Sequence, residues 1–280
     1  MNSQLVLVEG IPGVGKTTMA KKIKEYLDKQ NVQSKLYLEG DFNHPADYEC
    51  VAYFDKEQYD HLIKKFKIEE ERIKDFIDIK DTDYFINYGM IRKNKIYNDN
   101  KPFLKALMSN DVYSLPIQKF IQVTKDKWKR FVKTSENESC VYILECCFMQ
   151  NPLTTMLAYH NQSEYLINEH IKNLSRIVKP LNPIMIFLEP KNIKENFDFI
   201  KQNRSKEWYN FVEDYVTNQA YGKENSLKEY DGLITFYEHL QKLALECFAL
   251  LDMVKIKKEN SKINWDKNER GIYSFIDQYI

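Results

Sequence analysis

The sequence predicts an α/β fold, a three-layer sandwich around a mainly parallel sheet of five strands. Three observations predict it. Unbroken apolar runs such as Leu5-Val6-Leu7-Val8 and Ile184-Met185-Ile186-Phe187-Leu188 suit strands buried on both faces. Stretches with apolar residues at helical spacing alternate with these runs. A glycine-rich turn joins the first run to the first helical pattern.

Taken in order, Gln4 to Glu9 is expected to be the first strand. Thr17 to Gln30 reads as a helix with Met19, Ile23 and Leu27 on one face. Ser34 to Glu39 reads as the second strand. Residues 42–136 then read as a large helical and highly charged insertion between strands two and three, with helices expected near Gln58–Lys67, Glu69–Ile79 and Leu115–Lys133. Cys140 to Leu144 is the third strand. A long helical stripe follows, through Ile167, His170, Ile171, Leu174 and Val178. Ile184 to Leu188 is the fourth strand, and Met253 to Lys257 the fifth. Between them lie helical patterns over Ile193–Gln202, Lys206–Gln219 and Phe236–Leu251, and Asn268 to Tyr279 is expected to close the chain as a helix.

The bulk properties narrow the partners. Forty-one basic residues balance forty-one acidic ones, so no overall field favours nucleic acid or an anionic membrane. The lysine-rich stretch Lys56 to Lys80 carries nearly matching acids and reads as a solvated helix face. The longest greasy run, Leu243 to Val254, contains Glu246 and Asp252 and is too short to span a bilayer. Five irregularly spaced cysteines, two of them adjacent at Cys146 and Cys147, do not form a disulfide framework. No secretory signal is expected, and a reduced cytoplasm is the expected home.

Gly10-Ile11-Pro12-Gly13-Val14-Gly15-Lys16-Thr17 matches the full pattern of a phosphate-binding loop, the Walker A motif, and Thr18 follows it. The pattern has a physical reason. Glycines let the backbone curl so that successive N–H groups face phosphate oxygens, and the helix N-terminus adds positive partial charge. Lys16 would bridge the outer phosphates, and Thr17 would offer its hydroxyl to Mg²⁺. The fold class is therefore that of the P-loop nucleotide-binding proteins, with ATP and Mg²⁺ as expected cofactors.

Several nucleotide-using classes are subtracted by what the chain lacks. Asn94-Lys95 continues as Ile96-Tyr97 and does not make a GTPase base-reading element. No Leu-Ser-Gly-Gly-Gln transporter signature occurs. The third strand ends Ile143-Leu144-Glu145-Cys146 rather than in the acid pair usual for motors.

The run Val8-Glu9-Gly10-Ile11-Pro12-Gly13-Val14-Gly15-Lys16-Thr17-Thr18 resembles the opening of thymidylate and deoxynucleoside kinases. Small P-loop antibiotic phosphotransferases share the wider order of elements. The resemblance implies a kinase with a helical acceptor-binding region and a late arginine-bearing lid. Residues 193–222 are the candidate lid, with Arg204 as its arginine and Lys206 beside it. Where deoxynucleoside kinases carry Glu-Arg-Ser after the third strand, this chain has Glu145-Cys146-Cys147.

Ligands of open α/β sheets bind beyond the carboxyl ends of the strands. Acids sit there repeatedly: Glu9, Glu39, Asp41, Glu145 and Glu189. Glu145 is expected in the magnesium shell, and Asp41 or Glu39 as general base. The loop from Asp41 to Tyr48 falls where acceptor contacts belong, yet Asp41, His44 and Asp47 lack a fourth metal ligand. Asn264 and Trp265 are candidates for touching a nucleobase, with core packing as the alternative for the tryptophan. Tyr84, Phe85, Tyr88 and Tyr97 are candidates for lining a pocket for a bulky acceptor, with core packing of the insertion as the commoner fate.

The expected function is a phosphotransferase acting on a nucleoside-, nucleotide- or antibiotic-like small molecule. The alternative is a nucleotide-dependent binding or switch ATPase with water as its only acceptor. A homodimer stays open.

Overall fold

The computed structural model describes residues 3–260 and 265–280; Asn264, singled out above, lies outside the described residues. Among the described residues eight strands follow in chain order: β1 (Leu5–Glu9), β2 (Ser34–Tyr37), β3 (Val51–Asp55), β4 (Ile77–Lys80), β5 (Asp83–Asn87), β6 (Val141–Glu145), β7 (Ile184–Glu189) and β8 (Val254–Glu259). The chain divides into two compact units, one formed by Met1–Glu39 with Lys125–Ile280, the other by Gly40–Thr124.

The first unit is built on a five-stranded sheet in the order β2-β6-β1-β7-β8. Every neighbouring pair in it is parallel. The central strands are apolar on both faces because helices cover both. Leu5, Val6, Leu7 and Val8 are fully buried, as are Met185, Ile186, Phe187 and Leu188. The edge strands β2 and β8 are only partly buried and carry lysines such as Lys35 and Lys255. The α/β class and the five parallel strands are as expected, each strand within about two residues of its predicted bounds.

Helix α1 (Lys16–Lys29) leaves β1 and buries Met19, Ala20, Ile23 and Leu27. The helix Glu164–Val178 buries Ile167, His170, Ile171, Leu174 and Val178, the stripe its spacing predicts. The helix Glu229–Leu250 is buried over much of its length, through Leu233, Phe236, Tyr237, Leu240, Leu243 and Cys247. The closing helix, Trp265–Ile276, begins three residues before its predicted start. It meets α1 through stacked Tyr26 and Tyr273, with ring centroids 4.1 Å apart, and through the ion pair Lys22–Glu269.

The second unit contains a three-stranded antiparallel sheet, β3-β5-β4, as well as helices. The expected helix over Glu69–Ile79 is absent. Two single 3₁₀ turns, Glu70–Arg72 and Lys74–Phe76, stand there instead, followed by β4. The reason is local. Ile77-Asp78-Ile79-Lys80 alternates with the period of a strand, and Asp81-Thr82 closes a tight hairpin onto β5. Asp81 takes φ 53°, a left-handed conformation that Asp tolerates better than most residues. The core of this unit gathers Ala52, Phe54, Ile73, Ile86, Ile91, Phe103 and Leu107. Phe85 and Tyr88 are buried and Tyr84 and Tyr97 pack against that core, so these aromatics serve packing. Among the described residues no helix is long and apolar enough to cross a membrane.

Candidate active site

The loop after β1 has the backbone its sequence requires. Gly10 adopts φ 143°, and a Cβ there would lie 2.1 Å from the carbonyl oxygen of Leu188 on β7. No larger residue fits between these strands. Gly15 stands at φ 86° and hands over directly to α1, where the Met19 N–H donates to its carbonyl at 3.0 Å. The loop therefore ends on a helix N-terminus, the feature that attracts phosphate. Lys16 is buried, and its ammonium donates to the Ile11 carbonyl at 2.9 Å.

The strand order reverses direction at β1, and in open α/β sheets the carboxyl end of such a switch point is where ligands bind. From β1 the chain leaves toward β2 on one side, and after β6 it continues through β7 and β8 on the other. Three acids converge there. Thr17 Oγ1 donates to Glu145 Oε1 at 2.6 Å, and the Glu39 backbone N–H donates to Glu145 Oε2 at 3.3 Å. Glu145 is 2 % exposed, and Glu39 beside it is exposed. The Glu39 carboxylate accepts from Gln150 Nε2 at 3.4 Å and from the Cys146 thiol at 3.5 Å. Ligand atoms of Glu39, Glu145 and Cys146 all lie within 4.8 Å of one another.

Glu9 closes the other side of this edge. Its two carboxylate oxygens accept the backbone N–H groups of Phe148 and Gln150, both at 2.9 Å. That clamp shapes the turn after β6, where Cys146 takes a left-handed φ of 68°. Burial pushes the Glu9 carboxyl up to about 7, opposed by the Gln150 and Phe148 N–H bonds and by the charge of Lys16. Burial likewise pushes the Cys146 thiol well above its ordinary value, so it is not a ready nucleophile.

The other expected acids and cations have these surroundings. Glu189 pairs with Lys257 at 2.9 Å. Asp41 belongs to the second unit, where its Oδ1 accepts the Asn43 N–H at 2.9 Å. In the same loop His44 Nδ1 accepts the Ala46 N–H, and Asp47 Oδ1 accepts from Tyr48 N–H and the Tyr113 hydroxyl. Arg204 is exposed in the link between the helices Ile193–Asn203 and Lys206–Asn218, its guanidinium 5.3 Å from the Trp208 ring centroid. Lys206 is exposed as well.

A cleft of about 660 Å³ opens beside the loop, lined among others by Gly13, Val14, Asn196, Phe199, Asn260 and Trp265. That volume lies within the range of small-molecule sites. Trp265 sits against the loop itself, since a Cβ on Gly15 would fall 2.9 Å from its ring. Sequence reasoning gave no role to Asn196, Asn260 or Gln150. Asn260 follows the fifth strand at the active edge, which is a usable signal. Asn196 sits inside an ordinary helical pattern and has none.

No family model matches the chain. Among solved structures it is similar to thymidylate kinase from Candida albicans, with 14% identity and a TM-score of 0.44 over 99% of this chain and 92% of that one.

Proposed function

We propose that the chain is an ATP- and Mg²⁺-dependent small-molecule kinase. It moves the γ-phosphoryl group to a hydroxyl or phosphate of a nucleoside-, nucleotide- or antibiotic-like acceptor. The observation that carries this reading is a pair of carboxylates on adjacent strand ends. Glu145 is bonded to Thr17 in the phosphate-binding loop, and Glu39 is bonded through its backbone to Glu145.

The nucleotide's phosphates lie along Gly10, Pro12, Gly13, Val14, Gly15, Lys16, Thr17 and Thr18, and its base enters the cleft beside Trp265. Mg²⁺ prefers oxygen ligands, and the Thr17 hydroxyl with the Glu145 carboxylate is an all-oxygen pair at 2.6 Å. The neighbouring Cys146 sulfur is too soft a donor for that ion. When bound, the ion offsets charge on the phosphate oxygens. Glu39, exposed and one strand over, takes the proton of an acceptor hydroxyl. The acceptor oxygen forms a bond to the γ-phosphorus as the bond to the β–γ bridging oxygen breaks, and ADP leaves with that electron pair. An acceptor phosphate needs no such proton transfer. Asp41 is the second candidate for the base. Arg204 offsets negative charge developing on the transferred group once its segment, residues 193–222, closes. Acceptor recognition falls to residues 42–136. The setting is the cytoplasm, as a monomer or homodimer, with neither nucleic acid nor membrane as partner.

The test is a screen of nucleosides, nucleotides and aminoglycoside- or peptide-type antibiotics with ATP and Mg²⁺. An acceptor gaining the mass of one phosphoryl group, with matching ADP release, supports the reading. ATP consumption that no acceptor stimulates would move the chain to the switch-ATPase class.

A further inference from the structure

Curling a loop so that its N–H groups face inward turns its carbonyls outward, and buried carbonyls need donors. In this loop the donors are side chains. Lys16 Nζ donates to the carbonyl of Ile11, Asn196 Nδ2 to that of Pro12 at 2.9 Å, and Asn260 Nδ2 to that of Val14. The two asparagines lie 184 and 246 residues from the carbonyls they meet. Each amide's orientation is fixed by chemistry, because a carbonyl can only accept. Both are held from behind. The Asn260 N–H donates to the Glu189 carbonyl at the end of β7 at 2.8 Å, and the Asn196 N–H donates to the Asn192 carbonyl inside its helix. A Cβ on Gly15 would come 2.9 Å from Asn260 Nδ2, so the contact is close on the loop side too.

We propose that Asn196 and Asn260 are positioning residues of the phosphate-binding loop, acting through the carbonyls of Pro12 and Val14 to hold its N–H groups toward phosphate. The inference rests on the reading of this loop as a nucleotide site and adds residues from outside the motif. It has a regulatory side. Asn196 stands on the helix Ile193–Asn203, the first element of the candidate lid. A shift of that helix changes the bond to Pro12, so loop geometry and lid position report on one another. Asn260 couples the loop in the same way to the end of β8.

The test compares MgADP affinity by titration calorimetry for the wild type, Asn196→Leu, Asn260→Leu and Asn260→Asp, with thermal midpoints measured without nucleotide. Leucine keeps the approximate volume and removes the donor. Each leucine variant is expected to keep its midpoint within a few degrees and lose roughly tenfold in affinity, at every pH alike. Aspartate supplies a second variant of nearly the same shape. Its carboxylate cannot donate. Asn260→Asp is expected to lose at least about tenfold in affinity at pH 8, where it is ionised. The leucine variants separate donor loss from charge repulsion. Folded leucine variants that bind MgADP like the wild type would overturn the brace and leave the nucleotide reading intact. A wild type that binds no MgADP overturns both. If the leucine variants do not fold, Asn260→Asp decides alone, and wild-type MgADP affinity of that variant at pH 8 rejects the brace.

Discussion

The edge around the phosphate-binding loop and the segment around Arg204 belong to the same unit but are built on opposite terms. At the loop edge the charged groups are committed. Lys16 is bonded to Ile11, Glu145 to Thr17 and Glu9 to two backbone N–H groups, and all three are nearly inaccessible. Around Arg204 the guanidinium rests on the Trp208 ring in solvent, and Lys206 and Glu207 beside it are exposed. Under the proposed function the first region needs no rearrangement of its charged groups for the chemical step. The second takes part only if it moves, and its charge is screened in the open position.

The comparison breaks most readily at Lys16. Lys16→Ala should lower acceptor-dependent ATP turnover by more than roughly 10⁴-fold, since it loses both positioning and charge. Near-normal turnover in a folded variant would remove the loop from the site.

Next come the paired carboxylates. Glu39→Gln should lower kcat by roughly 10³-fold with little change in nucleotide affinity, because its part is confined to the transition state. Glu145→Gln should in addition raise the Mg²⁺ concentration needed for half-maximal rate. Asp41→Asn, run beside them, assigns the base: a loss in kcat at Asp41 with none at Glu39 would exchange the two.

Arg204→Ala should cost roughly 10²-fold in kcat. Hydrogen exchange over residues 193–222 should slow with nucleotide and acceptor present in the wild type. Identical exchange in both states would leave Arg204 a surface residue and sharpen the contrast with the loop.

The smallest effect is on stability. Glu9 ionises near 7 in the folded chain and near 4.5 when unfolded. Between those values the folded state holds the extra proton, so stability falls as pH rises through that window, by at most about 3 kcal/mol. Glu9→Gln cannot titrate. It should be the less stable protein at pH 5, with the gap narrowing toward pH 8 in thermal melts. A constant gap would show that Glu9 is charged throughout.

The legibility of the chain follows the same division. β1, α1 and the loop were readable because glycine spacing, a buried apolar run and an amphipathic pattern all point one way there. Glu39 and Glu145 were readable as acids of one edge, together with Glu9, Asp41 and Glu189, because strand ends fix that edge; their contact with one another was not. The helices expected near Gln58–Lys67 and Leu115–Lys133 are present as Lys56–Phe66 and Ile117–Ser135, and what failed was the stretch Glu69–Ile79 and the small sheet that follows it. β4 and β5 are only four and five residues long, and Ile77-Asp78-Ile79-Lys80 is too brief to outweigh the charged helical patterns around it. The side-chain donors of the loop were also out of reach. Asn196 and Asn260 are defined by long-range contacts that local pattern does not encode.

The central strand of the first unit has a consequence for how this chain is made. β1 pairs with β6 and β7 and never with β2, the next strand of the same sheet in sequence. Leu5 must wait for Tyr142, and Val6 for Ile184. On the ribosome, residues 40–124 emerge as one continuous compact unit while β1 and β2 are still without partners. The second unit is free to fold as it is synthesised, whereas in the first unit β1 and β2 must wait for β6, made after the whole second unit, before they can join a ladder. Such non-local pairing is slow and leaves apolar strands exposed in the meantime. The apolar run Leu5 to Val8, fully buried in the finished protein, is thus the buried run that waits longest for its partners and stays longest a target for chaperones.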